Sequence, residues 1–123
     1  MASVVLTSKN FEQTISDNPI VLADFWAPWC GPCRQFGPIF EQVSDKHPDI
    51  VFGKVNTEEE QQLAAAGNIS SIPTLMAFRD GIAIFNQAGA LPVAALEDLV
   101  QQIRNLDMEA VKDDIERQRQ EDD

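Results

Sequence analysis

Apolar residues change their spacing several times along the chain, and each change marks an element. Val-Val-Leu at 4–6 predicts a short strand, and the mixed stretch at 9–15 predicts a first helix. Residues 18–25 open on Asn-Pro, a turn signal, and continue as a nearly unbroken apolar run. Unbroken rather than alternating hydrophobicity predicts a strand covered on both faces, as in the middle of an α/β sheet. From Cys30 the period lengthens. Phe36, Ile39, Phe40 and Val43 fall on one face of a helix. Pro38 lies inside that helix and should kink it, because its ring removes a backbone donor and crowds the preceding turn. His47-Pro48 closes it.

Residues 50–55 predict the next strand. Thr57 and Glu60 have capping-box spacing, which predicts a helix over 58–67 that Gly67-Asn68 stops. The runs 74–78 and 82–86 flank Asp80-Gly81, a hairpin signal that makes these strands antiparallel. Pro92 suits the first turn of a last helix, with Leu96, Leu99, Val100 and Ile103 as its buried stripe. The order β-α-β-α-β-α-β-β-α gives an α/β class, a central mixed β-sheet flanked by helices. Acids outnumber bases in residues 107–123, with a thin stripe of Met108, Val111 and Ile115. They read as a solvated tail, helical or disordered, following a domain that spans 1–106.

Composition narrows the function. The chain has 123 residues, enough for one domain, and 44% are hydrophobic, enough for one core. A formal net charge of −11 argues against nucleic acid and against an anionic membrane surface, and favours a basic docking face on a partner. No segment approaches the ~20 apolar residues of a membrane span, and residues 1–15 lack a signal-peptide apolar core, so a cytoplasmic location is expected. In that reducing compartment two cysteines more often mean redox or metal chemistry than stapling.

Both cysteines sit in Asp-Phe-Trp-Ala-Pro-Trp-Cys-Gly-Pro-Cys, residues 24–33. A Cys-x-x-Cys bridge closes too short a loop to be a good staple. A zinc site would need two more ligands, and the chain offers one histidine, His47, in a polar helix end. A redox pair fits better. Cys30 falls where strand gives way to helix, and the free N–H groups there favour a thiolate. Such a thiolate attacks a disulfide; Cys33, one turn on and expected to be more buried, can resolve the mixed disulfide. Gly31 permits close approach of another backbone, and Pro32 stiffens the loop. Asp24 ends an apolar strand, where burial would raise its pKa and make it a base for Cys33. Pro73, opening the strand at 74–78, is a candidate cis proline.

These residues together resemble the thioredoxin family. The resemblance covers about residues 3–106 and rests on "WCGPC", the upstream "DFWA", the downstream "SIPT", the "DG" hairpin and "GA" before the last helix. It implies the thioredoxin fold and a monomeric dithiol enzyme that reduces protein disulfides. No bound cofactor is implied; electrons come from NADPH through a flavoprotein thioredoxin reductase. It implies Cys30 as nucleophile, Cys33 as resolving thiol, Asp24 as proton acceptor and Lys54 as the lysine that tunes Asp24. Trp29, Gly31 and Pro32 form the active-site loop, and Ile72, Pro73 and Gly89 bind the substrate backbone. Trp26 and Pro38 match positions assigned to packing and kinking. Arg34 stands where the family often has lysine, and Gly67 where it often has an aromatic residue. A disulfide oxidant or isomerase, and a binding module using the acidic tail, are the competing readings. His47 is expected to be solvated, and Met76, Phe78 and Phe85 to pack in the core.

Overall fold

A computed structural model describes residues 2–122. Five strands form one sheet in the order β1-β3-β2-β4-β5: β1 Val4–Val5, β2 Ile20–Trp26, β3 Val51–Asn56, β4 Thr74–Arg79 and β5 Ile82–Ala88. The strands β1, β2 and β3 run parallel, while β4 is antiparallel to β2 and to β5. The mixed sheet expected from the element order is therefore present. β2 lies at its centre, and six of its seven residues are buried, which is why its sequence does not alternate. The β4–β5 turn is built on Asp80 and Gly81, both at positive φ (53° and 80°), as the Asp-Gly signal requires.

Helices cover both faces. Leu22, Phe52, Leu75 and Ala77 pack against Phe36, Phe40 and Val43 of α2 (Gly31–Lys46) and against Leu96, Val100 and Ile103 of α4 (Val93–Arg104). On the other face Val21, Ala23, Phe25, Val55, Met76 and Phe78 meet Phe11 and Ile15 of α1 (Phe11–Asp17) and Leu63 of α3 (Gln61–Ala66). Gly53 admits Leu6 on this side, because a Cβ there would overlap the leucine side chain. The buried faces of α2 and α4 are the ones their periodicity predicts. α2 runs on through Pro38, without interruption.

Three local expectations change. Thr57 does not cap a helix. Its hydroxyl and its N–H both donate to the Trp26 carbonyl, at 3.0 and 2.9 Å, so residues 57–59 form a turn and α3 begins at Gln61 without a side-chain cap. Pro92 stands at the N-cap of α4, one position before its first turn. His47 is buried rather than solvated. Its ring stacks on Phe52, Nε2 meets Glu97 Oε2 at 2.8 Å, and Arg104 donates to Nδ1 at 3.0 Å. Arg104 also grips Asp49 through two bonds of 2.7 and 2.9 Å. The tail is helical, α5 Met108–Asp122, with no buried residue. Lys112 reaches Asp80 at 3.9 Å, and a groove of about 280 Å³ separates α5 from Ile82, Ala83 and Ile84 of β5.

Candidate active site

β2 delivers the site. Its last turn of chain places Asp24 and Trp26 on the face toward α2, and Ala27 to Cys30 then lead directly into the helix. Cys30 is the N-cap of α2. Its backbone is extended, and the Cys33 N–H donates to its Sγ at 3.2 Å, as a side-chain oxygen would accept at an ordinary N-cap. Pro32 occupies the first turn, where a missing N–H costs nothing. Cys30 and Cys33 are joined in a disulfide. They are buried to nearly the same degree, 4% and 5% exposed, so the greater burial expected of Cys33 as a residue is absent in this oxidised form. With Ala27 they form a small apolar cluster, packed by Trp26 and Ile72.

The second wall comes from far along the chain. The Ile72–Pro73 peptide bond is cis, and the Ile72 carbonyl oxygen lies 3.7 Å from Cys30 Sγ. Gly89, at φ 110°, donates its N–H to the Pro73 carbonyl at 2.8 Å and brings the end of β5 beside this loop. Trp29 is 65% exposed at the rim. Gly31 and Pro32 complete the loop, and Arg34 donates to the Pro28 carbonyl at 3.4 Å across it.

Asp24 lies on β2, the buried central strand whose chain leads into the cysteine pair. It is 1% exposed, and neither carboxylate oxygen has a hydrogen-bond partner. Burial pushes its pKa up from 3.8 to about 7, against the pull of the Lys54 ammonium. Lys54 is its direct neighbour in the β2–β3 register. Of the residues singled out from the sequence, Cys30, Cys33, Ile72, Pro73 and Gly89 meet around the disulfide, Asp24 and Lys54 pair across β2 and β3, and Trp29, Gly31 and Pro32 lie in the passage from β2 into α2. The contact that sequence reading missed is the Lys54 ammonium over the Trp26 ring, 4.9 Å from its centre. The signal for it was the i, i+2 spacing of Asp24 and Trp26 on one strand face. Among the described residues no cluster of His, Cys, Asp or Glu is arranged to hold a metal ion, and no helix is long and apolar enough to cross a membrane.

A dithiol at a helix start, a carboxyl group poised near neutrality and an exposed rim can exchange electrons and protons with a disulfide. Comparison with known proteins gives the same chemistry. The thioredoxin family model matches residues 2–102. A Streptomyces coelicolor protein carrying the thioredoxin 2 name is 57% identical over 111 residues, covering 90% of this chain and 83% of that one. Bacillus subtilis thioredoxin is 39% identical over 101 residues, covering 81% and 96%. Among solved structures, a mutant thioredoxin from Halobacterium salinarum superposes with a TM-score of 0.77 at 35% identity, covering 85% of this chain and 91% of that one.

Proposed function

The chain belongs to the thioredoxin family and is a thiol–disulfide oxidoreductase acting on protein disulfides, and from that premise we propose that it works as a reductant recycled by an NADPH-dependent flavoprotein reductase. In the reduced enzyme the Cys30 thiolate attacks one sulfur of a substrate disulfide. A mixed disulfide forms, and the other substrate sulfur leaves as a thiolate that takes a proton from solvent. Asp24 accepts the Cys33 proton. Cys33 then attacks Cys30 Sγ, and the second substrate sulfur leaves as a thiolate. Two electrons have moved to the substrate, and the enzyme holds the Cys30–Cys33 disulfide.

The observation that carries this reading is the Cys30–Cys33 disulfide at the start of α2, next along the chain from the strand that buries Asp24 and raises its pKa to about 7. A base with that pKa can take a thiol proton at neutral pH and return it. Lys54 keeps Asp24 ionisable in an apolar setting. Ile72, cis Pro73 and Gly89 hold an extended substrate segment beside Cys30, and Trp29 covers it. Residues 1–106 are the catalytic unit and 107–123 an appendage. Among the described residues the exposed large apolar side chains, Val4, Val5, Trp29 and Ile115, are too few for a standing subunit interface, which supports a monomer. A reductant of this kind belongs in the cytoplasm, where thiols are kept reduced.

The direction of electron flow is tested by equilibrating the Cys30/Cys33 pair with a glutathione series. The pair should remain oxidised until glutathione is strongly reducing. A pair more oxidising than glutathione would instead make the protein a disulfide donor.

A further inference from the structure

Asp24 and Lys54 face each other across neighbouring strands, yet their pairing is not held by any bond between them. Both Asp24 oxygens lack a hydrogen-bond partner. Among the described residues no carboxylate lies within ion-pair distance of the Lys54 ammonium. A lysine side chain has several rotatable bonds and a strong preference for water, so an unheld ammonium would swing toward solvent. Two features oppose that. The Trp26 ring lies under the ammonium, 4.9 Å from centre to nitrogen, within cation–π range. Above it α2 carries Gly37, where an added Cβ would stand 3.6 Å from the ammonium nitrogen. Gly37 is buried, so any longer side chain there would compete for the space the ammonium occupies.

We propose that Trp26 is a positioning residue: its indole face holds the Lys54 ammonium in the gap left by Gly37, so that the charge faces Asp24 instead of solvent. Trp26 lies two residues beyond Asp24 on β2, and Lys54 is the register partner of Asp24 on β3, so the three occupy one face of the sheet. On the other side of Asp24, β4 presents the apolar Leu75. Glu41, one turn beyond Gly37 on α2, is engaged by the Ser3 hydroxyl. Lys54 is therefore the cation that offsets part of the burial of Asp24, and Trp26 sets its placement.

The inference rests on the proposed tuning of Asp24 by Lys54, and the experiment separates the two. The Asp24 carboxyl is titrated by carbon NMR in the oxidised protein and in Lys54→Met, Trp26→Leu, Trp26→Phe and Lys54→Met/Trp26→Leu variants. Lys54→Met should raise the Asp24 pKa by ~1 unit, the low end of what an opposite charge does. No rise there overturns the tuning itself. Trp26→Leu should raise it in the same direction, Trp26→Phe should restore most of the wild-type value, and the double variant should match Lys54→Met alone. A tryptophan that merely excluded water would give the opposite sign, because admitting water lowers a buried carboxyl pKa. A fall or no change in Trp26→Leu beside a rise in Lys54→Met overturns the role of Trp26 only. Should Trp26→Leu not fold, the wild-type lysine side-chain protons decide: an upfield ring-current shift at Lys54 is expected, and ordinary solvent-exposed values overturn the proposal.

Discussion

Asp24 concentrates the conflict between stability and chemistry in a single side chain. Burial holds its pKa near 7 instead of 3.8, so the fold disfavours its charge. Below about pH 4 both folded and unfolded states carry the proton, and the carboxyl costs nothing. As pH rises, the unfolded chain ionises first, and the folded state loses relative stability until the folded carboxyl ionises near 7. The cost is then complete, on the order of 4 kcal/mol for a shift of this size. Asp24→Asn should therefore be more stable than the wild type, by a margin that grows between pH 4 and 7 and then levels off. Denaturant unfolding at a series of pH values measures it, and a pH-independent margin would contradict the burial argument. The wild type should show a rise in disulfide-reduction rate through pH 7, and the same variant should lose it. Single-turnover reduction of a dye-labelled disulfide reads that profile. This residue was legible in the sequence because a charge at the end of an unbroken apolar run is conspicuous. The Trp26–Lys54 contact was not, because aromatic residues near a dithiol are equally well explained by packing.

At the scale of the element, legibility followed the range of the interactions. The helical stripes of α2 and α4 and the Asp-Gly turn are local patterns, and they are where the sequence places them. Thr57 was misread because its partner is the Trp26 carbonyl on the neighbouring strand, and no local spacing reveals a competitor that distant in sequence. His47 was misread for the same reason. A histidine at a helix end looks solvated until α4 brings Glu97 and Arg104 against it. The network bonds the end of α2 to α4, and Glu97 Oε1 is already buried without a partner. His47→Ala removes a bond to a charged group and the stacking on Phe52, so thermal unfolding should show a loss of about 2 kcal/mol. Leaving stability unchanged would mean that the network is dispensable. α5 contributes less. Its helix faces β5 across a groove, with only partly covered apolar residues and one long ion pair to Asp80. Truncation after Leu106 should cost about 1 kcal/mol and leave the turnover of a protein disulfide unchanged. A lower turnover would place the tail in the working enzyme.

For the molecule as a whole, charge is the dominant property. A net −11 surrounds a site whose rim carries the cation Arg34, and approach of any partner occurs in that field. Reduction of a substrate with a basic surface around its disulfide should therefore be faster than that of an acidic one, and kcat/KM for the basic substrate should fall as salt is raised from 10 mM to 0.5 M. Equal rates at both salt levels would show that docking depends on shape alone. The two ends of the sheet differ in a way that bears on the fate of the protein at high concentration. β1 is only two residues long, so that margin offers almost no template for another strand. β5 is a full-length outer strand, and the acidic helix α5 runs beside it. A chain lacking that helix would uncover Ile82, Ala83 and Ile84 of that outer strand and lose much of the like-charge repulsion between molecules. Long storage of such a chain favours strand-to-strand association, which light scattering would register as slow growth in particle size while the full-length protein stays clear.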